Sequence, residues 1–396
     1  MHTYQQLFRT PEFTALFLAS AGQVAAQTVT GLALGTLVFS STGSPLLSAL
    51  AMFGPSLAQV IGAATLLSAA DRLPPRAALT GLSLLFGLGT AVQALPGLPV
   101  RAVFAVLLVL GVFGSLGGGV RYGLLNEILA GEGYLLGRSV LNMSVGVLQI
   151  AGFAVGGVLV AGLSPRGTLL VGAGLYVAAA AAARFGLGRR PPRATGRPSL
   201  TGTWRTNARL WSARPRRHVL LALWVPNGLI VGCESLYVPY APRHAGLLYA
   251  CGALGMLAGD TAVGRFVPPR WRTRLVVPLC LLLAAPYLLF ALHPALPLAA
   301  AAVVLATVGY ASGLLLQERL MSLTPPELSG HALGLHSCGM LTWQGVGAAL
   351  AGAVAQATAP STAMAVMAAA SVAVTAALAP GLRPGPVAAD PPAITA

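Results

Sequence analysis

The sequence contains no lysine and few charged residues of any kind. Charged residues are 8% of its 396 residues, against about 25% in soluble domains, and hydrophobic residues are 56%. Without lysine the chain cannot carry the phosphate-binding loop Gly-x-x-x-x-Gly-Lys, and it has no His-Glu-x-x-His, Gly-x-Ser-x-Gly or paired-aspartate motif. The composition therefore predicts a membrane protein, and we expect neither enzymatic activity nor a cofactor.

Cysteine is also scarce. The four cysteines lie far apart and form no Cys-x-x-Cys pair, so the sequence predicts neither a disulfide framework nor a metal site. They are Cys233, Cys251, Cys280 and Cys338.

Long apolar segments fill most of the chain. We mark twelve of them, most reaching the roughly 20 residues that cross the hydrocarbon core. They are 13–39, 46–70, 77–95, 102–125, 140–163, 167–186, 218–241, 244–264, 273–293, 297–318, 332–357 and 361–380. The sequence thus predicts a six-helix bundle over 1–186, a basic linker over 187–217, a second six-helix bundle over 218–380 and a tail over 381–396.

The net charge of +15 would suit a nucleic-acid-binding protein, so the positions of the arginines decide its meaning. If the N-terminus is cytoplasmic, only Arg101, Arg166 and Arg243 of the 24 arginines fall on the outer side. Such a bias is typical of membrane topology. We therefore expect no nucleic-acid partner, a multi-pass protein of the cytoplasmic membrane, and cytoplasmic termini. The linker is interpreted as a solvated connection or as a segment lying on anionic lipid.

Two patterns in the first half recur in the second half. Asp71-Arg72 and Arg76 precede the third span, and Arg265 and Arg270 stand at the matching place of the second half. A second set recurs at a constant spacing of 195 residues. Its members are Gln149, Gly152, Gly157 and Pro165, then Gln344, Gly347, Gly352 and Pro360. Six spans in each half give both halves the same orientation, as in parallel transporter repeats.

The segment around Asp71 resembles the loop between helices two and three of the major facilitator superfamily, Gly-x-Leu-Ala-Asp-Arg-x-Gly-Arg-Lys. Ala70, Asp71 and Arg72 match this pattern, Arg76 replaces its lysine, and its glycines are missing. The stretch 152–157 (Gly-Phe-Ala-Val-Gly-Gly) resembles one in the drug/proton antiporters of that superfamily. The resemblance implies an all-α fold of twelve transmembrane helices, with two bundles related by a pseudo-twofold axis. It also implies a monomer that transports by alternating access.

Charged residues near the predicted cytoplasmic helix ends form two groups. We interpret Asp71, Arg72, Arg76, Arg265 and Arg270 as a latch, with Asp260 supplying the carboxylate that Gly264 lacks. The alternative is a set of plain positive-inside anchors. The second group is interpreted as inner-gate ion pairs and comprises Arg121, Glu127, Glu318 and Arg319.

Polar residues inside the spans are candidates for the wall of a substrate cavity, because an unpaired polar group facing lipid costs several kcal/mol. The resemblance implies that helices 3, 6, 9 and 12 face lipid, and these spans are nearly free of such residues. Interhelical packing is the alternative for each glutamine. The predicted cavity set is Gln23, Gln27, Gln59, Gln149, Asn227, Glu234, Tyr237 and Gln344.

Glu234 is the one carboxylate well inside a span. Burial disfavours the charged form of a carboxyl group, so we expect Glu234 to take up and release protons. A hydrated rim position beside Arg243 is the alternative. The sequence predicts proton-coupled efflux of a small, fairly apolar organic compound, because the polar set holds no basic residue. An importer, a lipid-moving protein of the same superfamily, and a non-transporting receptor or scaffold are the alternatives.

Overall fold

The computed structural model describes residues 4–70, 73–129, 132–192, 208–325 and 328–382, and nearly all of these residues are helical. A short helix, Tyr4–Phe8, precedes the first long one. The long helices of the first half are α1 (Pro11–Thr42), α2 (Pro45–Ala70), α3 (Pro75–Gln93) and α4 (Val100–Ile128), followed by a kinked segment, Glu132–Gly186, that forms α5 and α6. The second half has α7 (Arg214–Ser235), α8 (Ala245–Phe266), α9 (Pro269–Ala284), α10 (Leu296–Val308 and Ser312–Ser322), α11 (Ser329–Ala357) and α12 (Pro360–Leu382).

The segment Glu132–Gly186 contains two helices that meet at Ser164. This residue has φ 77° and ψ 161°, outside the helical region. Gly156 and Gly172 are 16 positions apart, which would be about 24 Å in one straight helix. Both nevertheless pack against the same part of α1, Gly156 beside Val29 and Gly172 beside Thr30. The chain therefore reverses at Ser164, giving α5 over 132–163 and α6 over 165–186.

The helices are long and apolar enough for a membrane. Eleven segments of the described chain qualify, and one of them, Ser144–Gly186 with 43 residues, is the segment that reverses at Ser164. Counting both of its arms gives the twelve crossings that hydropathy predicts. Helices α6 and α12 both start with a proline, Pro165 and Pro360, where proline's missing N–H costs no hydrogen bond. The predicted all-α fold is confirmed.

The two halves use the same helix pairings. In the first half α1 packs against both α5 and α6, α2 packs against α4, and α3 packs against α6. In the second half α7 packs against both α11 and α12, α8 packs against α10, and α9 packs against α12. The duplicated sequence thus corresponds to a duplicated arrangement of helices.

The glycines of the 195-residue repeat lie at these helix contacts. Gly152 packs on Thr28 of α1, and its counterpart Gly347 packs on the carbonyl of Gly228 in α7. Gly157 packs on α8 and its counterpart Gly352 packs on α2, so both of these touch the other half of the molecule. A missing side chain allows close approach of helix backbones. Each copy of the repeat therefore marks one helix contact within its own half and one helix contact with the other half.

Helices alternate in direction between two ends of the molecule. At one end, called here the basic end, the backbone N–H of Gly188 after α6 donates to Glu12 at the start of α1 over 2.7 Å. At the same end Arg76 at the start of α3 donates to the Leu187 carbonyl over 3.3 Å. The opposite end carries the turns after α1, α3, α5, α7, α9 and α11. There Ser44 donates a hydrogen bond of 2.9 Å to Gln356, which links α2 to α11 across the two halves.

Candidate functional site

A cavity of about 320 Å³ lies among the helices of the first half. Its wall contains three predicted residues, Gln23 and Gln27 from α1 and Gln59 from α2. Thr90 and Gln93 of α3 and Arg121 of α4 are also polar, and the hydroxyls of Thr30 and Ser56 line the cavity as well. Leu82, Leu107 and Leu110 provide apolar surface. The wall therefore combines amide groups, one cation and aliphatic side chains, a composition suited to a small organic ligand.

Arg121 and Gln23 form the polar centre of this wall. The amide nitrogen of Gln23 donates to the Ser83 hydroxyl over 2.8 Å, and Gln23 Oε1 accepts from Arg121 Nη2 over 3.4 Å. The sequence analysis assigned Arg121 to a gate at the helix end. In the structure α4 continues to Ile128, so Arg121 lies about two turns inside the helix. Its helix position therefore places its guanidinium in the cavity wall.

Aromatic rings of α3 and α6 close one side of the cavity. Phe86 stacks on Tyr176 with ring centroids 5.5 Å apart and an interplanar angle of 24°. Both rings line the cavity, as does the buried Gln93, whose amide donates weakly to the Val103 carbonyl over 3.5 Å. The expectation that helices 3 and 6 only face lipid is therefore wrong for these residues. The cavity lies inside the first half, where α3 and α6 are walls, and hydropathy alone shows no difference between such a wall and a lipid face.

Glu234 lies in the second half, apart from this cavity, within a group of tyrosines. Its Oε1 accepts over 2.9 Å from the hydroxyl of Tyr310, which lies in the 3-10 turn Gly309–Ala311 between the two segments of α10. Its backbone carbonyl accepts from the Tyr249 hydroxyl of α8 over 2.7 Å. Tyr237 is fully buried nearby and shares a hydrogen bond with the Tyr287 hydroxyl. Glu234 thus has a hydroxyl partner from another helix, whereas Arg243 lines a separate pocket at the opposite end.

The remaining predicted cavity residues lie on α5, α7 and α11. Gln344 donates to Asn227 Oδ1 over 3.3 Å, which links α11 to α7. Gln149 is half-buried, midway along α5 between Gly146 beside α8 and Gly152 beside α1. Because each residue turns a helix by about 100°, the Gln149 side chain lies between the face of α5 that contacts α8 and the face that contacts α1. That Gln149 and Gln344 face each other across the pseudo-twofold axis stays a prediction.

The described residues of the second half do not form the predicted latch. Asp71 and Arg72 lie outside the described residues. Within the part of the chain that is described, Asp260 forms no salt bridge with Arg265 or Arg270. Asp260 and Arg265 are five positions apart on one helix, which turns their side chains about 140° away from each other. The carboxylate expected to replace the missing aspartate therefore does not reach these arginines.

The acids of the predicted gates pair with arginines that the sequence analysis did not single out. Glu318 in α10 accepts two hydrogen bonds of 3.0 and 3.1 Å from Arg272 Nη1 in α9. Glu127 at the end of α4 lies 3.5 Å from Arg190, which also binds Glu12 over 2.6 Å. Arg319 donates to the Leu382 carbonyl at the end of α12. These pairs connect neighbouring helices at the basic end, and only three-dimensional proximity identifies the partners.

No group of three or more histidine, cysteine, aspartate or glutamate side chains in the described residues is arranged to hold a metal ion. All four cysteines have free thiols, and Cys233 and Cys280 are buried. The polar groups of the cavity are amides, hydroxyls and one guanidinium, which bind ligands through hydrogen bonds and charge.

A sequence profile of the Major Facilitator Superfamily matches residues 16–317, about three quarters of the chain. The chain belongs to the major facilitator superfamily. Its members are transporters that carry small molecules across membranes, which agrees with the membrane-spanning helices. A search of curated protein sequences found no match.

Solved structures of other superfamily members have the same fold. A crystal structure of the nucleoside transporter NupG aligns with TM-score 0.75 and 14% identity, covering 93% of this chain and 99% of the other. A POT family transporter in complex with 5-aminolevulinic acid has TM-score 0.74 and 11% identity, covering 93% and 96%. A bacterial homologue of the human lysosomal transporter Spinster, inward-facing and occupied, has TM-score 0.70 and 13% identity, covering 95% and 96%. At these identities the likeness concerns the fold of this transporter alone.

Proposed function

We propose that this major facilitator protein exports a small organic compound across the cytoplasmic membrane in exchange for protons. The observation that carries the proposal is the polar cavity of the first half, whose glutamines and arginine lie between membrane-spanning helices. Membrane helices place such groups only where they meet partners, water or a ligand. A cavity of this size and composition matches a site for a small molecule.

The contacts between the two halves support alternating access. At the opposite end Ser44 bonds to Gln356, Phe153 stacks on Tyr249 with centroids 4.6 Å apart, and Gly157 packs on α8. These contacts join α2 to α11 and α5 to α8, the two helix pairs that connect the halves most extensively. We propose that they separate when the halves rock, and that the basic end then closes. The basic end is the cytoplasmic end in this proposal, because most described arginines lie there.

Proton coupling is proposed to act through Glu234. An ionised Glu234 accepts the hydroxyl of Tyr310, whereas a protonated Glu234 is itself able to donate. Because Tyr310 lies in the turn between the two segments of α10, a change of protonation at the Glu234 carboxyl alters a hydrogen bond between α7 and α10. Coupling of protonation to transport requires that Glu234 makes different contacts in the two conformations of the transporter, and this hydrogen bond is able to differ between them.

The test uses inverted membrane vesicles, in which exporters accumulate their cargo when the interior is acidic. Uptake of a panel of neutral, anionic and cationic aromatic compounds is measured by mass spectrometry with and without a proton gradient. We expect gradient-dependent uptake of at least one compound, its loss in Glu234→Gln, and its retention in Glu12→Gln, where a carboxylate at the start of α1 is removed.

Three outcomes would contradict the proposal. Undiminished uptake by Glu234→Gln would reject the coupling role of Glu234. Accumulation in right-side-out vesicles instead of inverted ones would favour an importer, and gradient-driven movement of labelled phospholipid would favour a lipid transporter. If no compound moves, deleting 193–207 discriminates further, because a scaffold that acts through its linker would lose its partner.

A monomer is proposed, and light scattering of the detergent-solubilised protein tests it.

A further inference from the structure

Arg121 carries a charge that no carboxylate of the described residues neutralises. Its guanidinium has five N–H donors, and within the described residues it forms one hydrogen bond, the 3.4 Å contact with Gln23. Its Nε atom is shielded from solvent and has no hydrogen-bond partner there. None of the described carboxylates forms a salt bridge with it. A cation inside a membrane protein normally pairs with an anion, so this guanidinium favours an anionic ligand.

The surroundings of Arg121 suit a ligand in this role. Arg121 is the one charged residue of the cavity wall. Gln23 is held by Ser83, so its carbonyl oxygen stays directed at the guanidinium. Gly117 and Gly118, one turn before Arg121, also line the cavity, and their lack of side chains leaves space in front of the charge. The remaining N–H groups are thereby available to a group that enters the cavity.

The rest of the wall indicates what the anion is attached to. Phe86 and Tyr176 present stacked rings, and Leu107 and Leu110 add aliphatic surface. Gln27 and Gln59 offer amide groups to a polar substituent. At about 320 Å³ the cavity lies at the small end of the range for ligand sites. One cation, one flat aromatic wall and a small volume match a small aromatic acid.

We propose that the cavity binds a monoanionic organic acid, with its carboxylate on Arg121 and its ring beside Phe86. The planar guanidinium fork matches the two oxygens of a carboxylate. A single uncompensated arginine neutralises a single negative charge, so dianions are disfavoured. The assignment rests on the proposed function, since it names the chemical class of the transported compound. It replaces the sequence-based expectation of a fairly apolar compound, which rested on a polar set without a basic residue.

The test compares two probes of nearly equal shape, 2-naphthoate, which is an anion, and 2-naphthamide, which is neutral. Binding to the purified full-length protein in lipid nanodiscs is measured by titration calorimetry. Hydrogen bonds to charged groups imply that the acid binds about 10- to 100-fold more tightly than the amide. Arg121→Gln should abolish this preference. Arg101→Gln removes an exposed arginine from the same helix and should keep it.

A second measurement does not depend on the variant folding. Arginine modification by phenylglyoxal is mapped by peptide mass spectrometry, and 2-naphthoate should protect Arg121 several-fold while leaving Arg101 reactive. Equal affinity for acid and amide, or no binding of either together with no protection, overturns the assignment. Binding requires no proton gradient, so Glu234→Gln should keep the preference for the acid. A retained preference with failed transport therefore counts against the proposed function and leaves the anion site standing.

Discussion

The contact between Gly157 and Gly246 gives the sharpest test of rocking. These glycines lie in α5 and α8, on opposite sides of the boundary between the halves. A Cβ atom added at Gly246 would lie 2.6 Å from the Gly157 Cα and 2.9 Å from the Phe153 carbonyl oxygen. Both neighbours are backbone atoms of a helix, so neither is able to move alone. Gly246→Leu should therefore force the halves apart at the opposite end.

The size of the effect follows from the overlap. Overpacking of a tight contact costs about 1–3 kcal/mol. If the halves move as rigid bodies, the strain exists only while this end is closed. The closed conformation should then lose about 5- to 150-fold in population relative to the open one. The effect on folding should be smaller than in a packed core, because the contact opens during normal rocking.

The assay is cross-linking at a second contact of the same end. Ser44 and Gln356 are 2.9 Å apart between their side-chain oxygens, so cysteines at both positions should react with a short bis-methanethiosulfonate, which bridges two thiols. Gly246→Leu should slow this reaction by the factor given above. Gly264→Leu is the matched control, since this glycine lies in the same helix with no atom near its added Cβ. An unchanged rate in Gly246→Leu, or an equal change in both variants, would refute the reasoning.

Three further variants test individual interactions. Tyr310→Phe removes the hydrogen bond to the Glu234 carboxylate, and a bond to a charged group is worth about 1.5–3 kcal/mol. Proton-driven transport should therefore fall about tenfold or more, while binding of 2-naphthoate is unchanged. Normal transport would show that Glu234 does not need this donor. Arg272→Gln breaks the pair with Glu318, which is half exposed and worth at most about 1 kcal/mol, so thermal unfolding should shift slightly and only at low salt. Gly97→Ala places a side chain at a residue with φ 77°, where no other atom is near. Backbone strain alone should therefore lower the free energy of unfolding by about 1–2 kcal/mol. Chemical denaturation that shows no such decrease would contradict this.

The sequence predicted the fold well because hydrocarbon imposes simple rules. A helix must be about 20 apolar residues long to cross the bilayer, so the hydropathy pattern gave the crossings and their order. The 195-residue repeat showed the duplication, and its glycines are the positions where helices touch. The kink at Ser164 lies directly before Pro165, where the sequence predicted a break. Local rules and a strong solvent constraint were sufficient for these features.

The candidate site was predicted only in part. Gln23, Gln27 and Gln59 were identified as cavity residues, because an amide inside a span requires a polar environment. Gln149 and Gln344 were found through the repeat, and the bond of Gln344 to Asn227 appears only in the structure. Glu234 was identified as an acid inside a helix, but its tyrosine partners come from segments far away in sequence. Pairings over such distances leave no local pattern.

Sequence alone determined that this is a duplicated, twelve-crossing membrane protein with a basic end, because each of these properties is a sum over local composition. Tertiary structure decided which polar residues share a cavity and that α3 and α6 form part of its wall. It also decided that Arg121 faces inward, where none of the described carboxylates pairs with it. The reason is geometric. Whether an arginine near a helix end meets water, an acid or a cavity depends on how far the helix extends and on which neighbours pack against it.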